Sequence, residues 1–573
     1  MLQTLTTPRG ETLSGTPWQV YPRPQMRRDS YINLNGEWDF AASSGKPETF
    51  DMRITVPFCP ESRLSGIGRH FEEGAPLWYR RRFLLPEGFR RERVLLHIGA
   101  ADQIAEVFVN GQHLCRHEGG YASFCVDITE ALAEENELVI RCTDDLHDQA
   151  FPYGKQVMNR GGMWYTPVSG IWQTVWLESV PGTYIENLNI ENHGASVTIS
   201  TVPPLDGTVS VEQLGQFPLE HGQVTIAPEN PHFWCPDDPY LYRFTVETAQ
   251  DKVESYFAIR SLEIKKVGEY PRLCLNGKPY FFHGLLDQGY WPEGLLTAPA
   301  PESYADDILA MKRLGFNTLR KHIKVEPEEF YYQCDRLGMI VWQDMVNNGS
   351  YRYFRDTVLP TVGIQKWNDR RLHRDERSRN TFRQGADDAV NQLKNHPCIC
   401  YWTIFNEGWG QFDSDRVCGW FRTLDATRFI DTTSGWFRGK NTDVDSRHQY
   451  FGKLRLTGDG LRPLVLSEFG GKTWRVEGHI FNPDKTYGYG ACPTREALNE
   501  AVAALYRGSI VPAVEKGLCA AIYTQVSDVE DEVNGLATYD RRVVKLDADT
   551  MLPISRALQD AMEKTVASFE KMG

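Results

Sequence analysis

The sequence predicts a multidomain chain of α/β plus all-β class, a (β/α)8 TIM barrel preceded by a jelly-roll β-sandwich and an immunoglobulin-like β-sandwich. Three observations lead there. Across residues 263–573, eight short apolar runs alternate with helix-like patterns, as the strands and helices of a closed parallel barrel do. Before them, two stretches carry short alternating segments broken by Pro, Gly and Asp, which is the pattern of antiparallel sandwiches. A length of 573 residues also exceeds what one hydrophobic core supports, so the chain must divide. The expected domains are 1–182, 183–262 and 263–573.

In the first domain the alternating runs Arg93-Val-Leu-Leu-His-Ile98 and Ala105-Glu-Val-Phe-Val109 are followed by Asn110-Gly111, a strong hairpin signal. Further strands are expected at 122–129, 137–142 and 170–178, giving the jelly roll. Val180-Pro-Gly-Thr183 reads as a linker. Runs at 196–200, 208–212, 223–227 and 242–247 then fit a small immunoglobulin-like sandwich. In the third domain strands are expected at 280–284, 317–322, 339–344, 399–406, 428–433, 444–450, 464–468 and 519–525. Helices are expected at 302–314, 327–337, 374–395 and 494–516.

Composition excludes several classes. A net charge of −14 argues against nucleic acid or an anionic membrane as partner. No apolar run reaches the length of a spanning helix, and Met1-Leu-Gln-Thr-Leu-Thr-Thr-Pro8 lacks a signal-peptide pattern. The 12 cysteines are scattered, several within apolar runs, and none forms a Cys-x-x-Cys pair. They read as buried thiols in a reducing compartment, so a cytoplasmic location is expected. Fifteen Trp and 25 Tyr fill cores for the most part, with a minority left to stack on a ligand.

The chemistry lies at two strand ends. Cys398-Ile-Cys-Tyr-Trp-Thr-Ile-Phe-Asn-Glu-Gly-Trp-Gly410 is an apolar run that stops on Asn406-Glu407, and Pro463-Leu-Val-Leu-Ser-Glu-Phe-Gly470 delivers Glu468 in the same way. Two carboxylates at the C-terminal ends of buried strands are what a two-carboxylate hydrolase requires. Asp287, Trp291, His322, Asp344 and His448 also fall at or just past strand ends. Asp287, Trp291 and His448 are expected to bind the ligand, with Trp291 stacking on a ring. His322 and Asp344 either bind it or orient loops. Asp528, in Ser527-Asp-Val-Glu-Asp-Glu532, is a further candidate, although that acidic run also reads as a solvated loop.

These residues, with His117-Glu-Gly-Gly-Tyr121, Val168-Ser-Gly-Ile-Trp172, Leu314-Gly-Phe-Asn-Thr-Leu-Arg-Lys-His322 and Leu466-Ser-Glu-Phe-Gly470, resemble glycoside hydrolase family 2, the family of β-galactosidases, β-glucuronidases and β-mannosidases. The resemblance implies a sugar-binding-type jelly roll ahead of a sandwich and a barrel. It makes Glu407 the general acid/base and Glu468 the nucleophile of a retaining double displacement. Asn406 would bond the sugar hydroxyl beside the anomeric carbon, Tyr450 would hold the nucleophile, and Arg320 would keep it ionised.

Departures from the family bear on the sugar. The metal-dependent β-galactosidases carry Glu and His after the third barrel strand, where this chain has Gln343-Asp-Met-Val-Asn-Asn-Gly-Ser350, so no metal is expected. The β-glucuronidases carry Asn-x-Lys after the eighth strand, where this chain has Glu530-Asp-Glu-Val-Asn-Gly535, an acidic loop expected to repel a uronic acid. Trp342-Gln-Asp344 resembles the β-mannosidases. The expected activity is exo-β-galactosidase, with β-glucuronidase, β-mannosidase and arabinopyranosidase as alternatives and a non-catalytic carbohydrate-binding protein as the alternative of another class. No cofactor is implied. The partner is a saccharide or glycoside, and a homo-oligomer is compatible with the sequence.

Overall fold

The computed structural model describes residues 2–359, 364, 369–437, 439–454 and 456–570. The first domain packs a six-stranded antiparallel sheet against a four-stranded one. Trp38, Phe40, Tyr79, Leu96, Val107 and Ile140 fill the space between the sheets. The hairpin forms at the expected place. Asn110 and Gly111 have φ of 50° and 81°, which a two-residue turn matching the strand twist demands, and Val109 faces Gln112 across it. The second sandwich pairs a three-stranded with a four-stranded sheet over its own core of Ile199, Val209, Phe244 and Phe257.

The third region does not begin with the barrel. Leu262–Val267, Tyr270–Leu275 and Lys278–Pro279 form a small antiparallel sheet that the sequence reading did not anticipate. Arg272, fully buried, donates from Nη1 to the carbonyls of Val514 and Leu518 at 2.7 and 3.2 Å, tying this sheet to the start of the last barrel strand.

Numbered from the barrel's own start, the strands are β1 (Phe282–Asp287), β2 (Thr318–Lys321), β3 (Ile340–Asp344), β4 (Ile399–Asn406), β5 (Phe429–Ser434), β6 (Asp445–Gln449), β7 (Leu464–Gly470) and β8 (Leu518–Thr524). Every neighbouring pair except β5–β6 forms a parallel ladder, and β8 pairs with β1. Between β5 and β6 side chains replace the ladder. Ile430 N donates to Asp443 Oδ2 at 2.8 Å, and Ser434 Oγ meets Ser446 Oγ at 3.4 Å. The helices around the barrel include α1 (Glu302–Arg313), α2 (Glu328–Leu337), α3 (Glu376–Leu393), α4 (Ser414–Leu424), α5 (Arg495–Leu505) and α6 (Ala548–Glu570). Strict alternation fails at two places: among the described residues the β5–β6 and β6–β7 connections hold no helix, because short segments broken by Gly435, Gly439, Gly452, Gly458 and Gly460 make the turns.

All eight residues of β4 are buried, as an apolar run inside a barrel must be. Trp342 on β3 and Tyr401 on β4 stack at 3.9 Å between ring centroids, and Trp402 caps its indole N–H with Asp425 at 2.8 Å. This packing fixes the height at which Asn406 and Glu407 leave the strand. Not all cysteines are buried: Cys115, Cys235 and Cys492 are half-buried and Cys125 is exposed. No helix among the described residues is long and apolar enough to cross a membrane.

Candidate active site

The C-terminal ends of the barrel strands surround a pocket lined by Asn406, Glu407, Tyr450, Glu468 and His322. Glu468 is 4% exposed. Its Oε1 accepts from Arg320 Nη1 at 3.1 Å and its Oε2 from the Tyr450 hydroxyl at 2.6 Å. Burial pushes its pKa up, but nearby His448, Arg320 and His322 and the Tyr450 hydrogen bond prevail and hold it down at about 2. Tyr450 is itself raised by burial and by the Glu468 charge, so it remains the donor. Its hydroxyl also contacts Thr524 Oγ1 at 2.8 Å, and its ring stacks on Tyr489 at 3.9 Å.

Glu407 follows the last residue of β4 with φ of 52°. That left-handed conformation is costly for a residue with a Cβ, and it is held by a 2.9 Å bond from Glu407 N to the Ser434 carbonyl. The turn carries the carboxyl over the pocket, where Oε1 lies 2.8 Å from His448 Nδ1. One ligand atom each from Glu407, His448 and Glu468 lies within 4.8 Å of the other two. The two carboxyl groups therefore approach as closely as the roughly 5–5.5 Å typical of retaining glycosidases.

Arg320 organises the floor. Its Nε donates to Asp344 Oδ1 at 2.9 Å, Nη1 to Glu468 and to the Ser467 carbonyl, and Nη2 to Asn406 Oδ1 at 2.9 Å. With its oxygen taken, Asn406 has its amide N–H groups left to offer a ligand. Asp344 sits behind, bonded also to His322 Nδ1 at 2.7 Å; burial raises its pKa, but Arg320 and His322 bring it below the usual range. His448 places Nε2 3.0 Å from Ser434 Oγ.

The structure thus brings eight of the eleven sequence-derived candidates together, five on the wall and Arg320, His448 and Asp344 behind it. Asp287, Trp291 and Asp528 lie elsewhere. Asp287 ends β1 on the outward side, since Leu286 lines the pocket and side chains alternate along a strand. It bonds Lys321 Nζ at 2.6 Å in a buried cluster with Glu326 and Lys324. Trp291 is packed inside the fold, edge-on to Tyr304 of α1 and beneath the Arg541 guanidinium at 4.1 Å. The acidic run is not a solvated loop either. Asp528 is buried against Lys545 at 2.6 Å, while Arg160 pairs with Glu530 and Asp531.

Sequence reasoning missed the wall contributed by other segments. Lys155, Met163 and Trp164 reach in from the first domain's 144–169 loop, joined by Tyr351, Trp409, Tyr489 and Glu532. Trp164, Tyr351 and Trp409 meet edge to face at 5.0–5.8 Å. Trp409 is different, since the Gly408-Trp-Gly-Gln411 segment reads from sequence as wall or lid; it belongs to the wall, with its indole N–H on the Gly349 carbonyl at 3.2 Å. Asn347 and Asn348, in the segment compared with metal-dependent relatives, spend their amides on the carbonyls of Trp409, Ala150 and Ser378.

Three family descriptions match in chain order. The galactose-binding-domain-like part of glycosyl hydrolase family 2 covers 69–160, its middle domain 183–260, and its TIM-barrel domain 266–454. The chain belongs to glycoside hydrolase family 2. Among curated family 2 relatives, a β-galactosidase of Thermoanaerobacter pseudethanolicus is 24% identical over 57% of this chain and 44% of its own length. A β-glucuronidase of Bacteroides fragilis is 23% identical over 66% and 56%. The chain spans about half the length of these relatives. Among solved structures, a β-glucuronidase from an uncultured Clostridium sp. superposes with a TM-score of 0.70 at 19% identity, covering 95% of this chain and all of that one. A β-galacturonidase from Eisenbergiella tayi gives 0.67 at 17% identity, with 95% and 99% coverage. At such identities these structures speak for the shared fold.

Proposed function

We propose that the protein is a retaining exo-acting β-glycosidase, with Glu407 as general acid/base and Glu468 as nucleophile. The observation that carries this is the close pair of carboxyls, one of them held ionised by Arg320 and Tyr450. Glu468 attacks the anomeric carbon as the glycosidic C–O bond breaks and Glu407 passes its proton to the departing oxygen. An ester between Glu468 and the sugar remains. Water then attacks the same carbon, its proton goes to Glu407, and Glu468 leaves as carboxylate. Forming the ester removes the negative charge beside Glu407, so one group serves as acid first and base second. Asn406 donates to the neighbouring sugar hydroxyl, a bond that tightens as charge develops.

For the sugar, a β-galactoside is the first reading and a β-uronide the second, the latter favoured by the names that several similar proteins carry. A panel of nitrophenyl β-galactoside, β-glucoside, β-glucuronide, β-galacturonide and β-mannoside, together with an α-arabinopyranoside, tests both. One glycoside should be cleaved with retained anomeric configuration, and Glu468→Gln should lower kcat on the order of 10³-fold or more. Inverted product, or an active Glu468→Gln enzyme, would remove the double displacement.

A further inference from the structure

Apart from the reaction carboxylates and His322, two charged side chains stand on the pocket wall, Lys155 and Glu532. Glu532 follows β8 and is 2% exposed. Its Oε2 accepts from the Tyr165 hydroxyl at 2.5 Å and its Oε1 from Asn534 Nδ2 at 3.0 Å, which fixes the carboxylate while leaving each oxygen capacity for another donor. Lys155 comes from the first domain. Its carbonyl takes a 3.0 Å bond from Tyr165 N, and its ammonium lies 5.7 Å from the centre of the same Tyr165 ring.

Nearby buried cations are paired. Arg320 holds Asp344 and Glu468, Lys321 holds Asp287 and Glu326, and Lys545 holds Asp528. Among the described residues no carboxylate lies within 4.0 Å of Lys155 Nζ, and it is the one Lys or Arg lining the pocket. Tyr165 therefore joins an uncommitted donor to a fixed acceptor.

We propose that Lys155 and Glu532 form a mixed-charge grip that selects a neutral sugar and turns away a uronic acid. A sugar hydroxyl both donates and accepts, so it can take a bond from the ammonium and give one to the carboxylate. A sugar carboxylate only accepts, and beside the buried Glu532 it meets a like charge. The inference rests on the β-glycosidase reading above and narrows its substrate to neutral hexosides or pentosides. It also separates this pocket from those of the similar proteins named for uronic acids.

The test compares kcat/KM for β-galactoside against β-galacturonide and for β-glucoside against β-glucuronide, in wild type and in Glu532→Gln. The neutral member of whichever pair is cleaved should lead by at least tenfold, and Glu532→Gln should shrink that lead by about tenfold. A wild type that prefers the uronide, or a ratio unmoved by Glu532→Gln, overturns the grip. If no glycoside is cleaved, the reaction reading fails, and calorimetric titration of the wild type with galactose, galacturonic acid, glucose and glucuronic acid decides the grip separately. The same titration serves if Glu532→Gln does not fold. Tighter binding of the neutral sugars supports the grip; equal or tighter binding of the acids overturns it.

Discussion

Arg320 and Lys321 are neighbours on β2, both fully buried and both paired with two carboxylates, yet they sit in networks of opposite kinds. Arg320 points into the barrel, where one of its partners, Glu468, borders the open pocket. Lys321 points outward, where Asp287 and Glu326 close around it and Glu326 is shared with Lys324 at 2.9 Å. Buried ion pairs alone therefore do not mark an active site. What separates the two networks is a carboxylate held ionised at the edge of space that a substrate can enter.

Four predictions sharpen or break this contrast. The largest effect is expected from Arg320→Met, which should lower kcat by about 10²–10³-fold. Because Arg320 acts through Glu468, the acidic limb of the pH–rate profile should also move upward; an unmoved limb would make Arg320 merely structural. Next, Lys321→Met should cost about 3–5 kcal/mol of stability by leaving two buried carboxylates short of a cation, read by denaturant unfolding, with kcat of the folded fraction changed far less than in Arg320→Met. A comparable kcat loss would erase the distinction between the networks.

The third prediction concerns pH. Glu468 is depressed from an ordinary 4.5 to about 2, so its folded state favours the charged form. Its contribution to stability is present above pH 4.5 and is lost as pH falls from there toward 2. The stability of wild type should therefore drop more steeply over that window than that of Glu468→Gln, and parallel curves would contradict an ionised Glu468. The smallest effect is expected at Trp291. With its ring inside the fold, Trp291→Phe should change KM less than about twofold and show itself in melting temperature instead. A large KM rise would return Trp291 to the pocket.

The same strand explains what the sequence could and could not convey. Apolar runs ending on Glu407 and Glu468 exposed the barrel and the two carboxyls at its mouth, because a buried parallel strand leaves a clear signature and stops abruptly there. Position at a strand end does not say which way a side chain faces. Asp287 and Asp344 looked alike in sequence, both at strand ends, yet one faces outward onto Lys321 and the other inward onto Arg320. The acidic run at 528–532 read as solvated because its cations, Lys545 and Arg160, lie in other segments. Lys155 and Trp164 belong to an irregular loop in another domain, and no periodicity ties such a loop to the barrel.

That loop has a consequence for engineering. It is fastened to the segment after β8 by Arg160 on Asp531, Tyr165 on Glu532 and Thr166 N on Glu530, at 3.0, 2.5 and 2.9 Å. The barrel is therefore not an interchangeable cartridge. A chimera that grafts residues 263–573 onto a foreign N-terminal module inherits Glu407 and Glu468 but loses one side of their container, and transplanting the pocket means moving residues 144–169 and 528–535 as a matched set.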